Sequence, residues 1–144
     1  MRRLWCLFAL LGLAAVPATL MAAEEKEKAV KKADTRVFEL RTYHAAPGKM
    51  DALNARFRDH TNALFKKHGM EIIGFWQPAD PNEADKKLIY ILAFPSKEAA
   101  EKSWKAFRED PDWIKAKEAS EKDGKLVDKV DSVYMNPTDY SPIK

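Results

Sequence analysis

After Cys6 the chain contains no cysteine, which excludes disulfides, a thiol nucleophile and a cysteine-ligated metal from everything downstream. Glycine is scarce: there are five, none clustered, so the phosphate-cradling loop, the dinucleotide fingerprint and the nucleophile elbow are all missing. Histidine is scarcer still. His44, His60 and His68 make no close-spaced pair with a carboxylate, and no dedicated metal site is expected. His60 and His68 lie about 80° apart around a helix of 3.6 residues per turn and do not share a ligating face. An excess of one charge is also lacking. The formal +3 falls to +1 once Arg2 and Arg3 are set aside, and so balanced a chain gives no electrostatic case for nucleic acid.

Only one long apolar run is present, Leu4 to Leu13. It is too short for a permanent membrane helix, which needs about 20 residues. The run follows the basic start Met1-Arg2-Arg3 and precedes the small residues and proline of Ala14-Ala15-Val16-Pro17-Ala18. Basic, apolar, small is the order of an export signal. Residues 1–23 are therefore expected to be a cleavable signal peptide, cut after Ala18 or Ala23, leaving a periplasmic or secreted protein without permanent membrane insertion. Residues 24–34 (EEKEKAVKKAD) offer only Val30 for burial and read as a charged flexible tether. The folded domain is expected over 35–144. Without disulfides, an exported domain of this size depends on its core or on self-association.

From Arg36 to His44 two kinds of side chain alternate, which predicts a strand, ended by Pro47-Gly48. Met50, Leu53, Phe57 and Leu64 fall at helical spacing and predict a helix over 49–67. His68-Gly69 stops it with a cation and then the residue suited to a left-handed cap. Met70–Gln77 and Lys87–Phe94 read as a hairpin across a polar, proline-containing turn at 78–85, and the second strand, apolar on both faces, should be the most buried. Ser96 caps a helix with Ala100, Trp104 and Phe107 as its buried stripe. Asp110-Pro111 begins a shorter helix, with an acid cap and a proline in the first helical position, and Gly124 marks its end. Leu126–Met135 is the last strand. The order β-α-β-β-α-β is the ferredoxin-like α+β plan, an antiparallel sheet with helices on one side. Its other face would carry apolar residues of Lys87–Phe94, and face-to-face pairing of two sheets in a homodimer is the expected solution.

Five blocks in order carry a resemblance: Phe38-Glu39-Leu40-Arg41-Thr42-Tyr43, Pro47-Gly48-Lys49, His68-Gly69, Gly74-Phe75-Trp76 and Asp110-Pro111-Asp112-Trp113. Together they resemble the NIPSNAP family over about Val37 to Pro142. The resemblance implies a dimeric α/β barrel, the paired form of the ferredoxin-like fold. It implies no particular reaction, since barrels of this kind include monooxygenases and lyase-like enzymes as well as proteins without known chemistry.

Period two puts Glu39, Arg41 and Tyr43 on one face of the first strand. With Phe38 and Leu40 toward the helices, these three are expected to point between the paired sheets. A carboxylate, a guanidinium and a phenol there would bind a small anionic or hydrophobic ligand. An ion pair that fixes register is the structural alternative. His68 is either a helix cap or a pocket base. Trp76 and Tyr90, with Trp104 and Trp113, either line a cavity for a flat ligand or pack the core. No acid–base or nucleophile constellation accompanies them, so no catalytic residue and no cofactor is assigned. The reading is a non-catalytic small-ligand-binding or interaction module. The alternative is a cofactor-independent or haem-linked monooxygenase or lyase of the barrel superfamily.

Overall fold

The computed structural model describes residues 36–144, together with residues 19, 21, 22 and 26. Apart from those four, the expected signal peptide and tether lie outside the described residues. Strand β1 (Val37–Ala45) leads into helix α1 (Met50–Arg56), which passes through a π-helical turn (Phe57–Thr61) into α2 (Asn62–Lys67). The helix expected over 49–67 is there, with one wide turn in its middle. In that turn Thr61 Oγ1 donates to the Arg56 carbonyl at 3.2 Å, a side-chain bond that competes with the backbone pattern. Gly69, at φ +71°, turns the chain out of α2 as a left-handed cap.

Strands β2 (Glu71–Trp76) and β3 (Lys87–Phe94) form the hairpin, and a short helix α3 (Pro81–Ala84) occupies its turn. That helix was not expected, although Asp80-Pro81 is the same signal as Asp110-Pro111: the Asp80 carboxylate accepts from Asn82 N at 2.9 Å. Helix α4 (Lys97–Glu109) begins at Ser96, whose Oγ accepts from Ala99 N at 3.2 Å. Helix α5 (Pro111–Ser120) begins at Asp110, which accepts from Asp112 N at 2.8 Å. It stops before Gly124, which sits at φ +107° in the turn leading to β4 (Val127–Met135).

The sheet order is β2-β3-β1-β4, with every pair antiparallel. This is the ferredoxin-like arrangement. Helices cover one face. Leu88, Tyr90, Leu92 and Phe94 of β3 are buried there against Leu53, Phe57, Phe65 and Trp104. On the opposite face Ile89 and Ile91 are half-buried, and Val133 is 54% exposed. Both faces of β3 are thus apolar, as its sequence predicts. The C-terminal tail lies over one corner of the open face, where Pro137 and Ile143 meet Phe38 and Ile91 around a cavity of about 280 Å³. Arg36 Nη1 donates to the Lys144 backbone oxygen at 2.9 Å at the tail's end.

The two faces of β1 are the reverse of the expectation. Glu39, Arg41 and Tyr43 pair across the sheet with Leu92, Tyr90 and Leu88, and cross-strand neighbours share a face. The three therefore point at the helices, while Leu40 lies opposite Ile91 and Val133 on the open side. The physical reason is complementarity in the helical layer. Trp104 brings a buried N–H that needs an acceptor, and the rings of Phe57 and Tyr90 stand at 5.7 and 5.3 Å from that of Tyr43. Leu40 satisfies neither requirement.

A candidate ligand cleft between the sheet and the helices

Glu39 is the pivot of the polar cluster. It is 1% exposed. It accepts from Trp104 Nε1 at 2.5 Å, from Ser132 Oγ at 2.6 Å and from Arg41 Nη1 at 2.9 Å. Three donors from α4, β4 and β1 thus satisfy the oxygens of a carboxyl group that is out of reach of water. The Arg41 guanidinium is held by this bond and lies over the Trp104 ring, 4.2 Å from its centroid. Burial acts to lower the pKa of Arg41, but Tyr90, Tyr43 and Glu39 around it more than reverse that, so it stands above its ordinary value and stays charged. Its Nε is buried and has no hydrogen-bond partner among the described residues. Beneath it Tyr90 is fully buried, its hydroxyl also unpartnered. Burial, and then the neighbouring Tyr43, push that hydroxyl well above the ordinary phenol value of 10.0.

Arg41 and Tyr43 form the floor of a cleft of about 720 Å³ walled by Trp104, Phe107 and Trp113 and rimmed by Arg108 and Lys117. A second lobe of about 340 Å³ lies against Arg56 and Lys125. Tyr43, Trp113, Lys117 and Glu121 line both. The volume is in the range of small-molecule sites, as is the combination of apolar walls with a few fixed polar groups. The smaller cavity beneath the C-terminal tail has no charged group in its wall, and its polar lining is Asn136, Thr138 and Ser141.

The six residues singled out from the sequence separate here. Arg41 and Tyr43 line the cleft. Glu39 lies behind it and orients Arg41, and Tyr90 lies below. His68 lies elsewhere. Its Nε2 is 2.7 Å from Asp110 Oδ2, and Lys67 Nζ is 2.8 Å from the same oxygen. Asp110, itself the cap of α5, thereby ties the end of α2 to the start of α5. His68 is a structural clasp, its role as a helix end extended to a neighbouring helix. Trp76 is 48% exposed and packs across Gly74 on the open face, opposite Ile89. The sequence reading missed Arg56. It lies in the middle of a helix whose apolar spacing drew attention to its neighbours, yet it is 5% exposed, and its Nη1 bonds Glu121 at 2.9 Å. Among the described residues, no cluster of three or more His, Asp or Glu side chains is arranged to hold a metal ion.

Residues 38–142 match the family model described as NIPSNAP, which spans most of the chain and all of the folded layers. The chain belongs to the NIPSNAP family. Among solved structures, a NIPSNAP family protein of unknown function from Agrobacterium tumefaciens is 22% identical, with a TM-score of 0.66 over 77% of this chain and 96% of that one. An uncharacterized NIPSNAP-like domain protein from Burkholderia xenovorans is 14% identical, with a TM-score of 0.65 over 76% and 90%. SnoaB, a cofactor-independent oxygenase from Streptomyces nogalater, is 11% identical, with a TM-score of 0.50 over 74% and 97%. At such identities these likenesses show the fold alone. No curated protein matches the sequence.

Proposed function

We propose that this NIPSNAP domain is an exported small-ligand-binding module that takes up an anionic, flat molecule in the cleft between its sheet and helices. The observation that carries the reading is the Arg41 guanidinium, fixed by Glu39 and Trp104 at the floor of an aromatic-walled cleft. A pre-oriented charge in apolar surroundings costs a ligand little ordering on arrival and selects for an anion. The reading includes the signal peptide of residues 1–23 and pairing of two copies through the open sheet face, whose exposed Val133 and Trp76 a second copy would cover. Binding is favoured over catalysis because, among the described residues, neither close His–Asp contact lines the cleft: His68–Asp110 is engaged between helices, and His44–Asp131 lies on the open face of the sheet.

Replacing Arg41 by methionine tests it. With 2-naphthoate as the probe in calorimetry, affinity should fall about tenfold, as losing one charged hydrogen bond of about 1.5–3 kcal/mol requires. The variant should remain folded, because Glu39 keeps Trp104 and Ser132 as donors. Unchanged affinity would remove Arg41 from the site. Consumption of dioxygen or turnover of a bound ligand would favour the enzyme reading, with Tyr43 beside Arg41 as the reactive pair.

A further inference from the structure

The two lobes of the cleft repeat one arrangement. In the first, Arg41 gives Nη1 to Glu39, stacks on Trp104 and keeps a buried, unpartnered Nε. In the second, Arg56 gives Nη1 to Glu121 at 2.9 Å, lies 5.3 Å from the centroid of Trp113 and likewise keeps a buried, unpartnered Nε. In each case a protein carboxylate holds one side of the planar fork, and the Nε side is left over. That edge suits a carboxylate, which accepts parallel hydrogen bonds from adjacent guanidinium nitrogens. Arg41 and Arg56 both line the cleft, and each keeps a buried donor without a partner among the described residues; such a donor is costly, and a bound group that supplies acceptors would relieve both.

Charge supports the same conclusion. Over residues 36–144 the chain carries 19 basic and 18 acidic side chains. The two lobes are nevertheless lined by six basic and three acidic ones. Glu39 behind Arg41 and Asp131 beside Lys129 offset two of these charges, and the surplus that remains still favours an anion.

We infer that the cleft binds an elongated dicarboxylate with a flat apolar middle, one end on Arg41 and the other on Arg56, its middle lying against Tyr43 and Trp113. The inference rests on the ligand-binding reading above and adds the second anchor. It makes Arg56 the specificity-determining residue, the one that distinguishes two-ended acids from one-ended acids.

The experiment compares rigid acids of two lengths by calorimetry on the intact protein: naphthalene-2,6-dicarboxylate and biphenyl-4,4′-dicarboxylate, each against its monoacid. At least one dicarboxylate should bind about tenfold more tightly than its monoacid, the effect of one further charged hydrogen bond. Arg56→Met should abolish that preference and leave the monoacid a single binding site, on Arg41. Arg56→Lys, which keeps a charge in the buried position but lacks the Nε edge, should do the same in a folded protein if the methionine variant does not fold. A preference retained in both variants overturns the assignment to Arg56. Monoacids that bind as tightly as both dicarboxylates overturn the second anchor while leaving the first. Failure of every acid to bind overturns both readings.

Discussion

The two faces of the sheet solve burial in opposite ways. The helix-covered face places a carboxylate, a guanidinium and two phenols among aromatic rings, with Glu39 and Tyr90 at 1% and 0% exposure. The open face carries Leu40, Ile89, Ile91 and Val133, with charge confined to one end where His44 and Lys129 meet Asp131, and it is the face that stays accessible. Apolar character alone would therefore have assigned the faces wrongly. A polar group belongs to the interior when partners on neighbouring elements meet it there, and an aliphatic stripe can remain outside when no element lies over it.

The sharpest way to break this contrast is to remove Glu39. Glu39→Leu removes the carboxylate from the covered face and strands Arg41 and the Trp104 N–H. We expect a loss of about 3 kcal/mol, the low end of what removing one partner of a buried pair costs, read from the urea unfolding midpoint. A variant as stable as the parent would show that the cluster contributes nothing net.

On the open face the expected effect lies in assembly. Val133→Asp places a charge on the exposed stripe, and light scattering should then return half the mass of the parent protein. The fold itself should change by less than about 0.5 kcal/mol, as surface substitutions do. A parent that is already monomeric would break the pairing proposal.

Smaller still is Tyr90→Phe. The buried hydroxyl has no partner among the described residues, so removing it should leave stability unchanged or raise it by up to about 1 kcal/mol. A clear loss would mean that the hydroxyl is bonded in solution, with Tyr43 the nearest candidate.

The smallest effect concerns acid. Lys67 and then His68 hold the Asp110 carboxyl below its ordinary value of 3.8. A depressed carboxyl stabilises the fold at pH values above that ordinary one, and the contribution fades as pH falls below it. Asp110→Asn keeps a capping side chain but removes the charge. The gap between its urea midpoint and the parent's should therefore be present at pH 6 and narrow at pH 3. A gap independent of pH would show that the ionic contacts do not contribute.

The sequence by itself determined the order of elements, because each depends on contacts only a few residues apart. The apolar spacing of Met50, Leu53, Phe57 and Leu64, the caps at Ser96 and Asp110 and the left-handed Gly69 are local signals, and each stands in the structure where it was read. The double-sided character of Lys87–Phe94 was equally legible. The same local signal stands at Asp80-Pro81, inside the hairpin turn. The direction of Glu39, Arg41 and Tyr43 was not local. It followed from a register that sets them opposite Leu92, Tyr90 and Leu88, and from Trp104, 65 residues from Glu39, bringing a donor to its carboxylate. Arg56 became part of the cleft only when α5 placed Trp113 and Glu121 against it. Alternation along a strand shows that two faces differ. Which face turns inward depends on what the distant elements bring to meet it, and that only the tertiary structure decides.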